Sequence, residues 1–426
     1  MKIISAQEAI EIIGPRARIG LGNACAEPQT IIESILKNYD FFDQLDIYGM
    51  IHYWINELDC LNINRSIRLN FFMLDKYSSL GISKGYSDYI PCRYSKIPDL
   101  FLNKIIKLDV AVISVSIPDS KFFCSLGVSN DFTQAMATSA DIVIAEINEK
   151  MPKVYGDTWI NLKDIDYIIE SNRKLPQISS PNLSDTDIQI GNYVSELIDD
   201  CSTIQIGIGR LSEAALSCFK DKKRLGIHSG LLPEGIVDLV EKGVIDNSCK
   251  GLSNGQIVTT TIIGTDKLYD FVNNNKNVLS YPSSYTHNEI IIAQVQKFNS
   301  INSAIQVDFT GQINAETING VQVSGVGGQS DFICGAALSK GGKSIVLIPS
   351  TAKQGQQSRI VPFLDKGSAV TSLRHDIDYV VSEFGIAELK GKPMRARADA
   401  LIAIAHPKFR EMLDKERHRM FPSPIK

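Results

Sequence analysis

The stretch Gly325-Val326-Gly327-Gly328-Gln329-Ser330-Asp331-Phe332 offers chemistry that needs no reactive side chain. Glycines at this density let the backbone take positive φ and bring its own N–H groups against a ligand. The loop reads as a cradle for an anion or a developing oxyanion, with Gly325, Gly327, Gly328 and Gln329 as its contacts. Glycine clusters also make plain turns, so the surroundings carry the argument. Ala304 to Phe309 alternates as a strand does, and after the glycine-rich continuation Ile333 to Lys343 comes Ser344-Ile345-Val346-Leu347-Ile348-Pro349, an apolar strand closed by proline. A glycine loop between two buried strands of an α/β sheet lies where such folds place ligands.

Around the loop stands a chain of 426 residues, long enough for two domains. Hydrophobic residues make up 44% and charged residues 22%, the balance of a soluble globular protein. A net charge of −4 gives no reason to expect a nucleic-acid or acidic-membrane partner. The eight cysteines, Cys60 among them, include no C-x-x-C pair and no compact spacing with the six histidines. That argues against a zinc site and a disulfide framework and for a reducing compartment. Ser5 and Glu8 form a capping box where a signal peptide would be apolar, and no apolar run is long enough to span a bilayer. The expectation is a cytoplasmic protein without a metal.

The order of elements is that of an α/β fold with mostly parallel sheets. Ala17 to Gly22 reads as a strand and glycine turn leading to a helix from Pro28 to Leu36, while Leu108 to Val115 and Ala140 to Ile147 read as buried parallel strands. Pro176 to Asp187 is polar and rich in breakers, the best linker candidate, which divides the chain into domains at residues 1–183 and 184–426. After a helix from about Ile188 to Ile198, Thr203-Ile204-Gln205-Ile206-Gly207-Ile208-Gly209 repeats the earlier strand and G-x-G, followed by Leu211 to Leu216. Two halves that each open with strand, G-x-G and helix suggest two related domains with the site between them.

Ordered segments along the chain carry a resemblance. They are Ser125-Leu126-Gly127, Pro152 to Thr158, Gln205 to Gly209, Ile301 to Ala304, Thr310 to Glu316, the Gly325 loop, Pro349 to Lys353, Ser382 to Gly391 and Ala400 to Arg410. With these the chain resembles the acetyl-CoA hydrolase/transferase family, which includes 4-hydroxybutyrate, butyrate and succinate CoA-transferases. The resemblance implies two tandem CoA-transferase-like α/β domains, a site at their interface, a homodimer, and coenzyme A entering as an acyl-CoA substrate. It also implies nucleophilic catalysis in which a glutamate attacks the thioester and then carries CoA, with the glycine-loop amides holding the oxyanion.

One segment departs from the pattern. The family's nucleophile lies in a run reading His-Ser-Glu, two apolar residues, then Ser-Asp-Gly; this chain reads His228-Ser229-Gly230-Leu231-Leu232-Pro233-Glu234-Gly235. Gly230 leaves the nucleophile position vacant, and a glycine cannot form a glutamyl thioester. Three readings stay open. Glu234 reaches the thioester, although it aligns with an acidic residue that caps the next helix. Alternatively, the acyl group passes directly to water, an amine or an alcohol, with His228 or His287 as base unless both are structural histidines. The third reading is an acyl-CoA-binding protein without turnover.

Lys353 resembles a phosphate contact for CoA, and a plain surface lysine is the alternative. Cys334, where relatives carry arginine, reads as a small buried thiol. Ser229 has no serine–histidine–acid order around it, and Glu316 and Glu383 read as supporting carboxylates. The expectation is an acyl-CoA-dependent transferase acting on an acyl-CoA and a small-molecule acceptor.

Overall fold

The computed structural model describes residues 2–53 and 66–422, so Cys60 lies outside the described residues. The first half builds an eight-stranded sheet in the order Lys2–Ile3, Tyr167–Ser171, Ile142–Asn148, Val110–Val115, Arg16–Leu21, Gln44–Gly49, Ile67–Phe71, Ser87–Tyr89. Every pairing in it is parallel. Its central strand Val110–Val115 is buried throughout, as a near-continuous apolar run covered on both faces requires. The first helix, Ala6–Ile13, starts at the expected capping box: the Ser5 amide donates to Glu8 Oε2 at 2.8 Å, and the Glu8 amide to Ser5 Oγ at 3.2 Å.

The second half builds a six-stranded sheet in the order Gly226–Ile227, Thr203–Ile206, Phe298–Ser303, Lys343–Leu347, Tyr379–Ser382, Gly385–Glu388. It is parallel except for its last hairpin. Successive strands run outward one way from Thr203–Ile206 and the other way from Phe298–Ser303, so the order reverses between these two. An open parallel sheet has a crevice at the carboxyl ends of the strands flanking such a reversal.

The stretch from Pro176 has no helix or strand until Ser184 caps the helix Asp185–Leu197 through a second capping box with Asp187, so the helix begins three residues earlier than the expected Ile188. The halves are not merely tethered. Tyr155–Gly156 from the first half pairs in parallel with Val278–Ser280, and one core cluster joins Cys25, Val128 and Val154 to Ile206, Ile262 and Val278.

Two expectations around the glycine stretch need correction. Gln306–Asp308, expected as a buried strand of the sheet beside the loop, is a strand but belongs to a small three-stranded sheet with Ile313–Asn314 and Ile360–Val361. The second half of the glycine-rich stretch is a helix, Gln329–Leu338. Phe332 and Ala336 lie one turn apart on it and bury against Ile292, Val295 and Phe298, and that packing outweighs the helix-weakening Gly335.

Candidate active site

A cavity of about 250 Å³ lies between the two halves. Gln205, Ile206 and Gly207 line it from the carboxyl end of one switch-point strand, and Asn302 and Ser303 from the end of the other. The first half closes it with Met50, Ile51, Met73 and Tyr94. Gly325, Gly327, Gly328 and Gln329 form another wall, so the expected cradle residues all reach the cavity.

Gly327 takes φ +50, a conformation that glycine adopts without strain. Among the described residues the amides of Gly327 and Gly328 donate to no backbone carbonyl and no side chain. They precede the helix Gln329–Leu338, where free N–H groups and the helix dipole favour negative charge. The loop is held from the first half: the Val326 amide donates to the Tyr89 hydroxyl at 3.1 Å, and that hydroxyl donates to Glu316 Oε2 at 3.1 Å. Gln329 Nε2 donates to Ser372 Oγ at 3.1 Å. Asp331 accepts from the Ser95 amide at 3.0 Å and the Ser95 hydroxyl at 2.9 Å, which pins the helix's first turn to the first half. Burial pushes the Asp331 carboxyl up to about 6.

His287 stands in the cavity wall and is 2% exposed. Its Nδ1 lies 2.8 Å from Thr286 Oγ1, and its ring is packed between Tyr94 and Phe332, with centroids at 4.5 and 4.3 Å. Burial, together with nearby His228, lowers its pKa well below the usual imidazole range, so the ring is neutral at pH 7. Gly230 is beside it. A Cβ built on Gly230 would lie 2.5 Å from His287 Nε2, and one on Gly328 would lie 2.4 Å from His287 Cδ2. The imidazole therefore fills the space that a side chain at position 230 would need.

The structure does not bring the other candidates to the cavity wall. His228 is buried, and its Nε2 donates to the Thr286 carbonyl at 2.8 Å. Burial first, and the Lys250 charge second, bring its pKa down to about 3. Ser229 Oγ donates to the Ile206 carbonyl at 3.1 Å and accepts from the Ile206 amide at 3.2 Å, a tie between neighbouring segments. The Glu234 carboxylate accepts from the Thr265 amide at 2.8 Å and from the Thr265 hydroxyl, joining the helices Gly235–Glu241 and Asp266–Val272. Lys353 is exposed at the turn between Thr351–Ala352 and Gln357–Ser358. Cys334 is half-buried, with Arg93 of the first half 3.8 Å from its sulfur. Glu383 accepts from the amide and hydroxyl of Ser350 at 2.9 and 2.5 Å.

Sequence reasoning missed Tyr94, Tyr89, Gln205 and Asn302 as side chains of the site. Gln205 and Asn302 are hydrogen-bonded to each other at 2.9 and 3.2 Å, at the ends of the two switch-point strands. Both stand in segments already singled out, and their polarity at the end of apolar strands was the available signal. Tyr94 and Tyr89 come from distant segments and had none. Among the described residues the cavity lining contains no Asp, Glu, Lys or Arg. No group of three or more metal-ligating side chains occurs among the described residues, and no helix there is long and apolar enough to cross a membrane.

Comparison with known proteins finds matches along both halves of the chain. Residues 1–178 match the N-terminal domain of acetyl-CoA hydrolases/transferases, and residues 264–417 match the C-terminal domain. The 4-hydroxybutyrate coenzyme A transferase of Clostridium kluyveri is 45% identical over 420 residues, covering 99% of this chain and 98% of that one. The butyryl-CoA:acetate CoA-transferase of Anaerostipes caccae is 34% identical, covering 97% of this chain and 95% of that one. Among solved structures, the 4-hydroxybutyrate CoA-transferase of Porphyromonas gingivalis aligns over 99% of this chain and 98% of that one, with TM-score 0.84 and 34% identity. RipA of Yersinia pestis aligns over 98% and 97%, with TM-score 0.91 and 31% identity.

Proposed function

Because the chain belongs to the acetyl-CoA hydrolase/transferase family, we propose that the cavity between its halves is the active site of an acyl-CoA-dependent transferase. The observation that carries this reading is a cavity at the switch point of the second sheet, lined by Gly327 and Gly328, whose amides have no hydrogen-bond partner among the described residues. The thioester carbonyl oxygen faces those two amides, which are aimed where charge develops when the carbonyl carbon is attacked. The acyl group occupies the cavity beside Met50, Met73 and Leu231, whose apolar side chains suit a short acyl chain.

Lys353, exposed at its hairpin turn, contacts a CoA phosphate. The full reading includes a small-molecule acceptor, a homodimer and a cytoplasmic setting. Light scattering on the purified protein checks the dimer. Glu234 is left out of the chemistry because its carboxylate is occupied at Thr265.

The test pairs binding with turnover. Wild-type protein is mixed with acetyl-, butyryl- or succinyl-CoA, and thioester consumption is followed by thiol release and by mass spectrometry of the CoA products. Gly328→Val places a side chain where His287 and Phe332 already stand and covers the amide cradle. It should lower turnover by about 10²–10³-fold, the usual loss for an oxyanion donor, with the circular dichroism spectrum retained. Full activity in that folded variant would remove the oxyanion assignment.

A further inference from the structure

We infer that His287 is the catalytic base of this site, and that it serves an acceptor bearing a neutral hydroxyl group, to which the acyl group passes directly from CoA. The inference rests on the reading of the cavity as an acyl-CoA site and goes further by naming the base and the chemical class of the acceptor. Three observations carry it.

The first is space. His287 Nε2 lies where a Cβ on Gly230 would have to go, and its ring edge lies where a Cβ on Gly328 would go. The imidazole can stand at the amide cradle only because both positions lack a side chain. The same fact excludes a carboxylate projecting from position 230 while His287 keeps this place.

The second is the tautomer. Thr286 Oγ1 lies 2.8 Å from His287 Nδ1 and 3.4 Å from the Pro282 carbonyl oxygen. With the proton on Nδ1, the ring donates to the hydroxyl and the hydroxyl donates to the carbonyl, so each donor has an acceptor. Nε2 is then left with its lone pair toward the cavity, and among the described residues it has no hydrogen-bond partner. His228 reinforces the arrangement by donating its Nε2 proton to the Thr286 carbonyl, which fixes the residue that orients His287.

The third is charge. Among the described residues no charged side chain lines the cavity, and the cradle amides that favour negative charge are taken up by the thioester oxygen, so an acceptor carboxylate would find no counter-charge from these residues. A hydroxyl group enters such a cavity at much lower cost, and it brings the proton that a lone neutral imidazole can take.

The step balances within the site. As the acceptor oxygen attacks the thioester carbonyl carbon, its proton moves to His287 Nε2 and a C–O bond forms. The tetrahedral oxyanion sits against the amides of Gly327 and Gly328. Its collapse breaks the C–S bond, and the CoA sulfur leaves with the proton returned from Nε2. The products are free CoA and an ester, or a carboxylic acid where the acceptor is water. No protein-bound acyl or CoA group is formed.

The experiment uses the full chain with acetyl-, butyryl- and succinyl-CoA, and water, ethanol, glycerol, acetate and succinate as acceptors. Thiol release and CoA-thioester products are measured for wild type, His287→Ala and His287→Gln, with acyl-CoA binding followed by calorimetry. The inference expects wild type to release thiol with hydroxyl acceptors or water and to carry no adduct in intact-protein mass spectrometry. It expects both variants to lose about 10²–10⁴-fold in kcat while acyl-CoA affinity stays within a few-fold. Added imidazole should restore part of the activity of His287→Ala, which a merely structural role would not give.

Wild-type turnover in the folded variants overturns the inference. So does a CoA or acyl adduct on wild-type protein, or exchange of CoA onto acetate or succinate that outpaces every hydroxyl acceptor. Each of those results leaves the acyl-CoA site standing. Wild-type protein that neither binds nor consumes any of the three thioesters overturns both readings.

Discussion

Thr286 bears two of the contacts that orient the proposed base, and the segment around Gly230 is tied to its surroundings through His228 and Ser229. His228 and Ser229 are both bound to backbone groups, His228 to the Thr286 carbonyl and Ser229 to Ile206, so the segment acts as scaffold for the loop that presents His287. Thr286→Val keeps the shape of the side chain and removes the hydroxyl. The ring then loses its Nδ1 partner, and the proton is free to occupy either nitrogen. The expected loss in kcat is about two- to tenfold, the worth of one hydrogen bond of about 0.5–1.5 kcal/mol, with the KM for acyl-CoA little changed. Steady-state kinetics on the folded variant measure it, and an unchanged kcat would show that Thr286 does not set the tautomer.

The helix Gly235–Glu241 shows what sequence could and could not say about the elements. Its start was legible from Pro233-Glu234-Gly235, and so were the central strands, the Ser5–Glu8 capping box and the repeated strand, G-x-G and helix, because each depends on residues close in the chain. The destination of the Glu234 side chain was not legible. It is decided by Thr265, 31 residues away, which caps the neighbouring helix and takes the carboxylate out of the chemistry. In the same way the glycine stretch announced its cradle but not that its second half is a helix, since packing of Phe332 and Ala336 on Ile292 settles that. Glu234→Ala therefore tests element structure against chemistry. Two hydrogen bonds between helices are lost, at about 1–2 kcal/mol of stability together. Thermal unfolding should shift downward while kcat holds, and a collapse of kcat in the folded variant would return Glu234 to the list of nucleophiles.

At the scale of the whole molecule the cavity exists because the two halves are held in one relation, and Asp331 is a buried charge in that joint. Ser95 from the first half gives it two hydrogen bonds, yet burial prevails and its carboxyl is raised from 3.8 to about 6. A raised carboxyl means that the native protein holds more protons than the unfolded chain between pH 3.8 and 6, so this group's contribution to stability falls as pH rises through that window. His228 has the opposite sign. Its pKa falls from 6.5 to about 3, the unfolded chain binds the extra proton, and stability is lost as pH falls below 6.5. Between pH 4 and 6 the two oppose each other, which flattens the acid side of the stability profile. Asp331→Asn removes one of them while its side-chain carbonyl can still accept from Ser95. Relative to wild type, the variant should gain stability on going from pH 4 to pH 8, by an amount on the order of 2–3 kcal/mol at about 1.4 kcal/mol per pKa unit. The net acid sensitivity of the variant should steepen, because the His228 contribution is then unopposed. Urea unfolding at both pH values reads the difference. A gap between variant and wild type that stays constant from pH 4 to 8 would mean that Asp331 remains ionised in the joint, and that its hydrogen bonds with Ser95 outweigh the cost of burying the charge.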